Sequence, residues 1–404
     1  MAVMRATIST EPGGLADLVR GLIMVGWEGT RLTGEVMSLL DQRLRGVVLF
    51  ARNVADISQL KEVGRTVHAR RGGGALIGID QEGGRVARLR EGFLVPPPMR
   101  DLGAAADAGL VRDVGRVVGG QLRALGINLN FAPVLDVDTN PRNPVIADRS
   151  FGSDPRRVGE LGAALALGLQ DAGVAACGKH FPGHGDTHQD SHLTLPRLPH
   201  GRARLDRVEL PPFRAAIAAG IASLMTAHVV FEALGDDGPA TLSPRVVNGL
   251  LREELGFGGV VVSDDVQMRA LADLAPIEEV AVRAFGAGVD LLLCCHRPAL
   301  AVAAVDAVVA AVADGRLDEA TLRASHRRVE AMAARYAVDA NDTETTGSVC
   351  VAGRSEADLR SALAALTRSV APAADPTDYR RRETGPVGCP PGSPTPPAEG
   401  PDHD

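Results

Sequence analysis

Eight short runs of apolar and β-branched residues recur between residues 21 and 295, and each is followed by a stretch whose apolar positions have helical spacing. The runs are 21–27 (GLIMVGW), 46–51 (GVVLFA), 75–80 (ALIGID), 128–137 (NLNFAPVLDV), 174–180 (VAACGKH), 223–229 (SLMTAHV), 259–264 (GVVVSD) and 289–295 (VDLLLCC). Helices are expected at 34–43, 57–70, 107–124, 155–171, 206–219, 244–254, 275–286 and 298–313. Ser243-Pro244 reads as N-cap and N1, while Gly126 and Gly220 follow helix ends. Strands that alternate with helices pair in parallel, and eight of each is the count of a (β/α)8 TIM-type barrel. A doubly wound sheet with extra strands is the alternative. Polar placement favours the barrel: Asp80, Asp136, His180, His228 and Asp264 fall at or just past the ends of their runs. A barrel gathers those ends around one mouth, whereas an open sheet would scatter them.

The pattern weakens after Tyr336. A catalytic barrel is expected over 1–336, a linker and terminal helix over 337–370 (the helix at 356–370), and a disordered Pro-rich tail over 371–404. Net charge is −7 and no basic run carries interleaved aromatics, which argues against a nucleic-acid partner. Five cysteines, at 177, 294, 295, 350 and 389, show no C-x-x-C spacing and suggest neither disulfide framework nor zinc ribbon. Neither a leader-like apolar segment at the start nor a membrane-length apolar stretch is present. The expectation is a cytoplasmic protein, a monomer, without membrane contact, cofactor or metal.

The segment 179–196 (KHFPGHGDTHQDSHLTLP) spaces His180, His184, His188 and His192 four apart. Pro182, Gly183 and Gly185 rule out regular helix, so the spacing does not make these rings converge. Asp190 lies two residues before His192, within reach of a carboxylate–imidazole bond that would orient and protonate the ring. A merely structural Asp–His pair would look the same. In 260–268 (VVVSDDVQM) two carboxylates end a valine-rich run. Asp264 could cap the turn or serve as a nucleophile at the mouth, and one of the pair can do chemistry while the other caps. Asp80 is followed by a Gly83-Gly84 turn that lacks the spacing of a phosphate loop. Arg149, in a long polar loop at 138–152, could hold hydroxyls or a carboxylate, or clamp its own loop.

Taken in order, "DQEGGRV", "DRSFG", "KHFPGHGDT…DSH" and "SDD" resemble the family 3 glycoside hydrolases. Within that family they resemble bacterial β-N-acetylhexosaminidases (β-N-acetylglucosaminidases) of the cell-wall-recycling type. The likeness extends over about residues 20–336, with "LIMVGWEGT" and "GVVLFARN" matching the opening strands. The resemblance implies Asp264 as nucleophile, His192 as general acid/base and Asp190 as its partner. It implies that Asp80, Arg88, Arg149, Lys179 and His180 hold a terminal N-acetylglucosamine. His184 would shape the loop.

The implied reaction is retaining exo-hydrolysis through a covalent glycosyl-enzyme, on N-acetylglucosaminyl-anhydro-N-acetylmuramic acid or its peptides. A neutral imidazole in the second half of that reaction would also admit phosphate, so phosphorolysis is one alternative; β-glucosidase activity on the same fold is another. A metal-dependent barrel hydrolase would need His180 and His228 as ligands, and the sequence has no H-x-H or H-E-x-x-H spacing. A non-catalytic sugar-binding protein would need the nucleophile or dyad broken, and all three residues are present. Aromatics are 3% of the chain, so the expected grip on sugar is by charge-assisted hydrogen bonds rather than ring stacking.

Overall fold

A computed structural model describes residues 14–188, 194–235, 238–338 and 356–366. Its strands are β1 (Ile23–Val25), β2 (Gly46–Leu49), β3 (Leu76–Ile79), β4 (Leu129–Asn130), β5 (Ala175–Phe181), β6 (Ser223–Thr226), β7 (Val260–Asp265) and β8 (Leu291–Cys294). Each pairs in parallel with its sequence neighbours, and β1 pairs β8 through Ile23–Leu292, closing the barrel. This is the expected (β/α)8 architecture. β4 is shorter than the apolar run that announced it because Pro133 has no N–H to continue the ladder. Pairing resumes as an isolated bridge between Val134 and Lys179.

The surrounding helices are α1 (Gly34–Asp41), α2 (Ile57–Arg71), α3 (Ala108–Arg123), α4 (Pro155–Asp171), α5 (Leu210–Ala218), α6 (Arg245–Glu254), α7 (Ile277–Ala287) and α8 (Ala299–Ala313). Local chemistry starts them. Asp56, Asp107 and Asp154 accept N–H bonds from Gln59, Leu110 and Arg156, and Pro155 opens α4. Ser243 accepts the Val246 N–H ahead of α6, which winds as a wider π-type helix. The helix expected at 206–219 is split into Arg202–Arg207 and α5, since Pro211 and Pro212 supply no donors to join them. Two more helices follow, α9 (Glu319–Arg335) and α10 (Glu356–Leu366). The second buries Leu359 and Leu363 and receives a bond from Gln121 of α3 on Glu356.

Apolar side chains fill the barrel. Gly78 belongs to that packing: a Cβ there would sit 2.7 Å from the Phe131 ring, so the absent side chain makes room for an aromatic inside. Cys177, Cys294 and Cys295 are free and buried. Beneath, the fully buried Arg45 donates to Gly21 and Gly74 carbonyls and pairs with Glu330. Asp290 ties the bottom of β7 to α9 by accepting from Val261 N–H and from Arg328. These ties brace the floor, while the mouth residues gather at the strand C-termini. Among the described residues no helix is long and apolar enough to cross a membrane.

Candidate active site

β3 leads into a small hairpin, Gln81–Gly83 against Val86–Ala87, which folds Arg88 back over Asp80. The Gln81 side chain holds the turn, accepting N–H bonds from Arg88 and Leu89, and Asn130 of β4 brackets the Gln81 backbone. Arg88 then donates to Asp80 at 3.2 Å. Lys179, at the end of β5, reaches Asp80 at 2.6 Å and Glu82 at 2.7 Å. Arg149, in a 3-10 turn at Ala147–Arg149, closes on Glu82 with two bonds of 2.8 and 2.9 Å. The result is a buried row of alternating charge: Arg88, Asp80, Lys179, Glu82, Arg149.

Burial by itself pushes the Asp80 and Glu82 carboxyls up. For Asp80 the Lys179 and Arg88 charges outweigh it, for Glu82 the Arg149 and Lys179 charges, and both carboxyls lie below their ordinary range. Burial likewise opposes the Lys179 ammonium, yet Asp80 and Glu82 hold it above its usual value. Every member of the row is thus ionised at neutral pH. Asp136 is also lowered, burial being overcome by His180 and His184.

Acid sensitivity follows with a definite sign. A carboxyl depressed on folding contributes stability that is complete above its unfolded value and is lost as pH falls through the folded one. The melting temperature is therefore expected to hold level from pH 7 down to about 5 and to fall steeply below about 4. Melting curves across that range that stayed flat to about pH 3 would contradict the ionised row.

The histidines of 179–188 do not converge on one point. His180 turns Nδ1 to Asp136 at 2.7 Å, leaving its ring on the pocket wall. His184 gives its backbone N–H to Asp136 at 2.6 Å and packs edge-on against His180. His188 meets Asn140. Gly185 runs so close to Val137 that a Cβ would lie 1.9 Å from its carbonyl oxygen, so this stretch is pressed onto the 138–152 loop. Asp190 and His192 lie outside the described residues. On either side of them, Asp186 accepts a bond from Thr139 at 2.8 Å and meets His200 Nε2 at 2.5 Å.

Opposite the charged row, β7 brings Asp264 into the same pocket, with Oδ1 accepting the Asp265 N–H at 2.8 Å. Asp265 takes the capping part: its Oδ1 accepts the Gln267 and Cys295 N–H groups. Arg149 also bonds its own loop, donating to the Val145 carbonyl at 3.2 Å, while Asp148 pairs with Arg85 at 2.7 Å. Asp80, Lys179, His180, Arg149 and Asp264 line one pocket, and Arg88 reaches it through Asp80. Residues that sequence reasoning passed over join them: Phe50, Phe131 and His296 on the wall, and Glu82 behind it through Lys179. Glu82 stands two positions after Asp80, on the same side of extended backbone, and that spacing was a usable signal. His296 follows an apolar run, the same cue that singled out Asp80.

A cage of fixed donors and acceptors around a small pocket suits a polyhydroxylated ring, since each hydroxyl can both give and take a bond. With a carboxylate facing that cage at a barrel mouth, the arrangement is of the glycoside hydrolase class. Residues 17–332 match the model of the glycosyl hydrolase family 3 N-terminal domain. The chain belongs to glycoside hydrolase family 3. It is 43% identical over 288 residues to a beta-hexosaminidase of Alkalilimnicola ehrlichii, covering 70% of this chain and 82% of that one. A beta-hexosaminidase of Thiobacillus denitrificans is likewise 43% identical, over 70% of this chain and 80% of its own. Among solved structures, a family 3 beta-N-acetylglucosaminidase from Paenibacillus sp. superposes with TM-score 0.81 at 42% identity, over 87% of this chain and 68% of that one. NagZ from Neisseria gonorrhoeae, in complex with N-trifluoroacetyl-D-glucosamine, gives 0.65 at 35% identity, over 78% and 98%.

Proposed function

We propose that this glycoside hydrolase is a retaining exo-β-N-acetylglucosaminidase that removes terminal N-acetylglucosamine from peptidoglycan-derived muropeptides. The observation that carries the proposal is the pairing of a short, closed cage with a carboxylate on the facing strand, in a chain whose relatives are named for hexosamines. Asp80, Arg88, Arg149, Lys179 and His180 hold the ring. Asp264 attacks the anomeric carbon while protonated His192, oriented by Asp190, donates to the departing oxygen. Neutral His192 then takes a proton from water, which cleaves the glycosyl-enzyme and releases the sugar with its anomeric configuration kept. The reading extends to the whole chain: a cytoplasmic monomer with its catalytic unit in 1–336, a linker and helix in 337–370 and a non-catalytic tail in 371–404.

The test compares aryl β-N-acetylglucosaminide with aryl β-glucoside, each with and without phosphate. The expected kcat/KM favours the N-acetylated substrate by about 100-fold or more, because a site built to bond a group discriminates strongly against its absence. Equal turnover of the two would overturn the assignment. A sugar phosphate as main product would move it to a phosphorylase, and an inverted first-formed anomer would remove the covalent route.

A further inference from the structure

We propose that His296 is a positioning residue for Asp264 and acts through Asp265; this rests on Asp264 being the attacking carboxylate. The β7–β8 ladder is regular at Val262–Leu291 but shifts before Asp265–Leu293. Ser263 still pairs with Thr226 and the Val266 N–H donates to the Leu293 carbonyl, so Asp264 itself sits in the bulge between paired residues. The Asp265 N–H, which holds Asp264 Oδ1 at 2.8 Å, is only as firm as Asp265 itself.

Side chains add to what the ladder holds. The Asp265 carbonyl lies 3.0 Å from His228 Nε2, and the other nitrogen of that ring meets Thr241 at 2.8 Å. Asp265 Oδ1 accepts the Cys295 N–H at 3.0 Å and the Gln267 N–H at 3.1 Å. Asp265 Oδ2 lies 3.0 Å from Nε2 of His296. The His296 ring is itself placed from two sides. Its backbone N–H donates to Gln267 Oε1 at 2.6 Å, and its face stacks on Phe50 with centroids 6.1 Å apart and planes at 28°. Phe50 is covered in turn by the Arg52 guanidinium at 4.3 Å. His296 is 9% exposed and its Nε2 stands in ion-pair range of Asp265 Oδ2 without the alignment of a hydrogen bond; in so dry a site the contact between ring and carboxylate is little screened by water. The imidazole therefore completes a clasp on the residue whose amide aims the nucleophile, the part that outer partners play in built sites generally.

Two variants separate positioning from structure. His296→Phe keeps a ring on Phe50 and removes the polar nitrogen beside Asp265, whereas His296→Gln puts an amide nitrogen near the place of Nε2. On an aryl β-N-acetylglucosaminide, His296→Phe is expected to lower kcat about 30-fold, with the inhibition constant of N-acetylglucosamine held within about twofold. His296→Gln is expected to recover about tenfold of that loss. A fluorinated N-acetylglucosaminyl fluoride, followed by intact mass, should label His296→Phe more slowly in proportion to kcat.

An unchanged kcat in His296→Phe, or a raised KM alone in both variants, overturns the positioning role and leaves Asp264 as nucleophile. A label mapped in the unmodified enzyme to a residue other than Asp264 overturns the nucleophile assignment and this inference with it. Should His296→Phe not fold, His296→Asn replaces it, because its shorter amide cannot reach Asp265; equal kcat in His296→Asn and His296→Gln overturns the role.

Discussion

Asp264→Ala is expected to lower turnover of an aryl β-N-acetylglucosaminide by roughly 10⁵-fold, the scale seen when a covalent nucleophile is deleted. Product binding should survive, because the charged row that grips the ring does not include Asp264. The variant also makes room beneath the anomeric carbon. Added azide should enter there and give the α-glycosyl azide, the configuration expected when a small anion replaces the nucleophile. A β-azide would instead mark the deleted group as the acid/base, and turnover within about tenfold of the parent would remove Asp264 from the chemistry. Calorimetry with N-acetylglucosamine and chiral analysis of the azide product read both outcomes.

Lys179→Met should be nearly as damaging, and for a different reason. Lys179 is 2% exposed and, among the described residues, is the cation that pairs with both Asp80 and Glu82. Its loss leaves Asp80 held by Arg88 alone and Glu82 by Arg149 alone, and weakening a buried charge network in this way costs up to about 3–5 kcal/mol. The melting temperature should fall, and kcat/KM should drop by about 10³-fold as the cage loosens. Adding Asp80→Asn to Lys179→Met removes the carboxylate that the single variant leaves most weakly held, by Arg88 at 3.2 Å. The double variant is therefore expected to lose less stability than the two single losses predict together. A Lys179→Met enzyme of parental stability would mean that the row is not ionised as described.

The fold was legible because its signal is repeated. Each apolar run is bounded by helical spacing, and polar residues at five run ends favoured one shared mouth over an open sheet. Where local chemistry intervened, the boundaries moved: Pro133 cut β4 short, and Pro211-Pro212 split one expected helix in two. Asp80, Arg88, Lys179 and Arg149 were named individually, but their linkage through Glu82 was not. An Arg–Glu bond across 67 residues has no local trace in a chain. The same is true of His296, which meets Asp265 from across the β7–β8 connection. Asp190 and His192, outside the described residues, rest on the sequence motif alone.

The alternating row at the mouth also bears on how such an enzyme could diversify. Five side chains drawn from three separate segments form one linked row, so changing either carboxylate takes a partner from two buried cations at once. Descent toward a new sugar by single steps would cross a deep fitness valley, while paired exchanges that keep the sum of charges would go round it. Laboratory libraries aimed at altered selectivity should accordingly vary these positions two at a time.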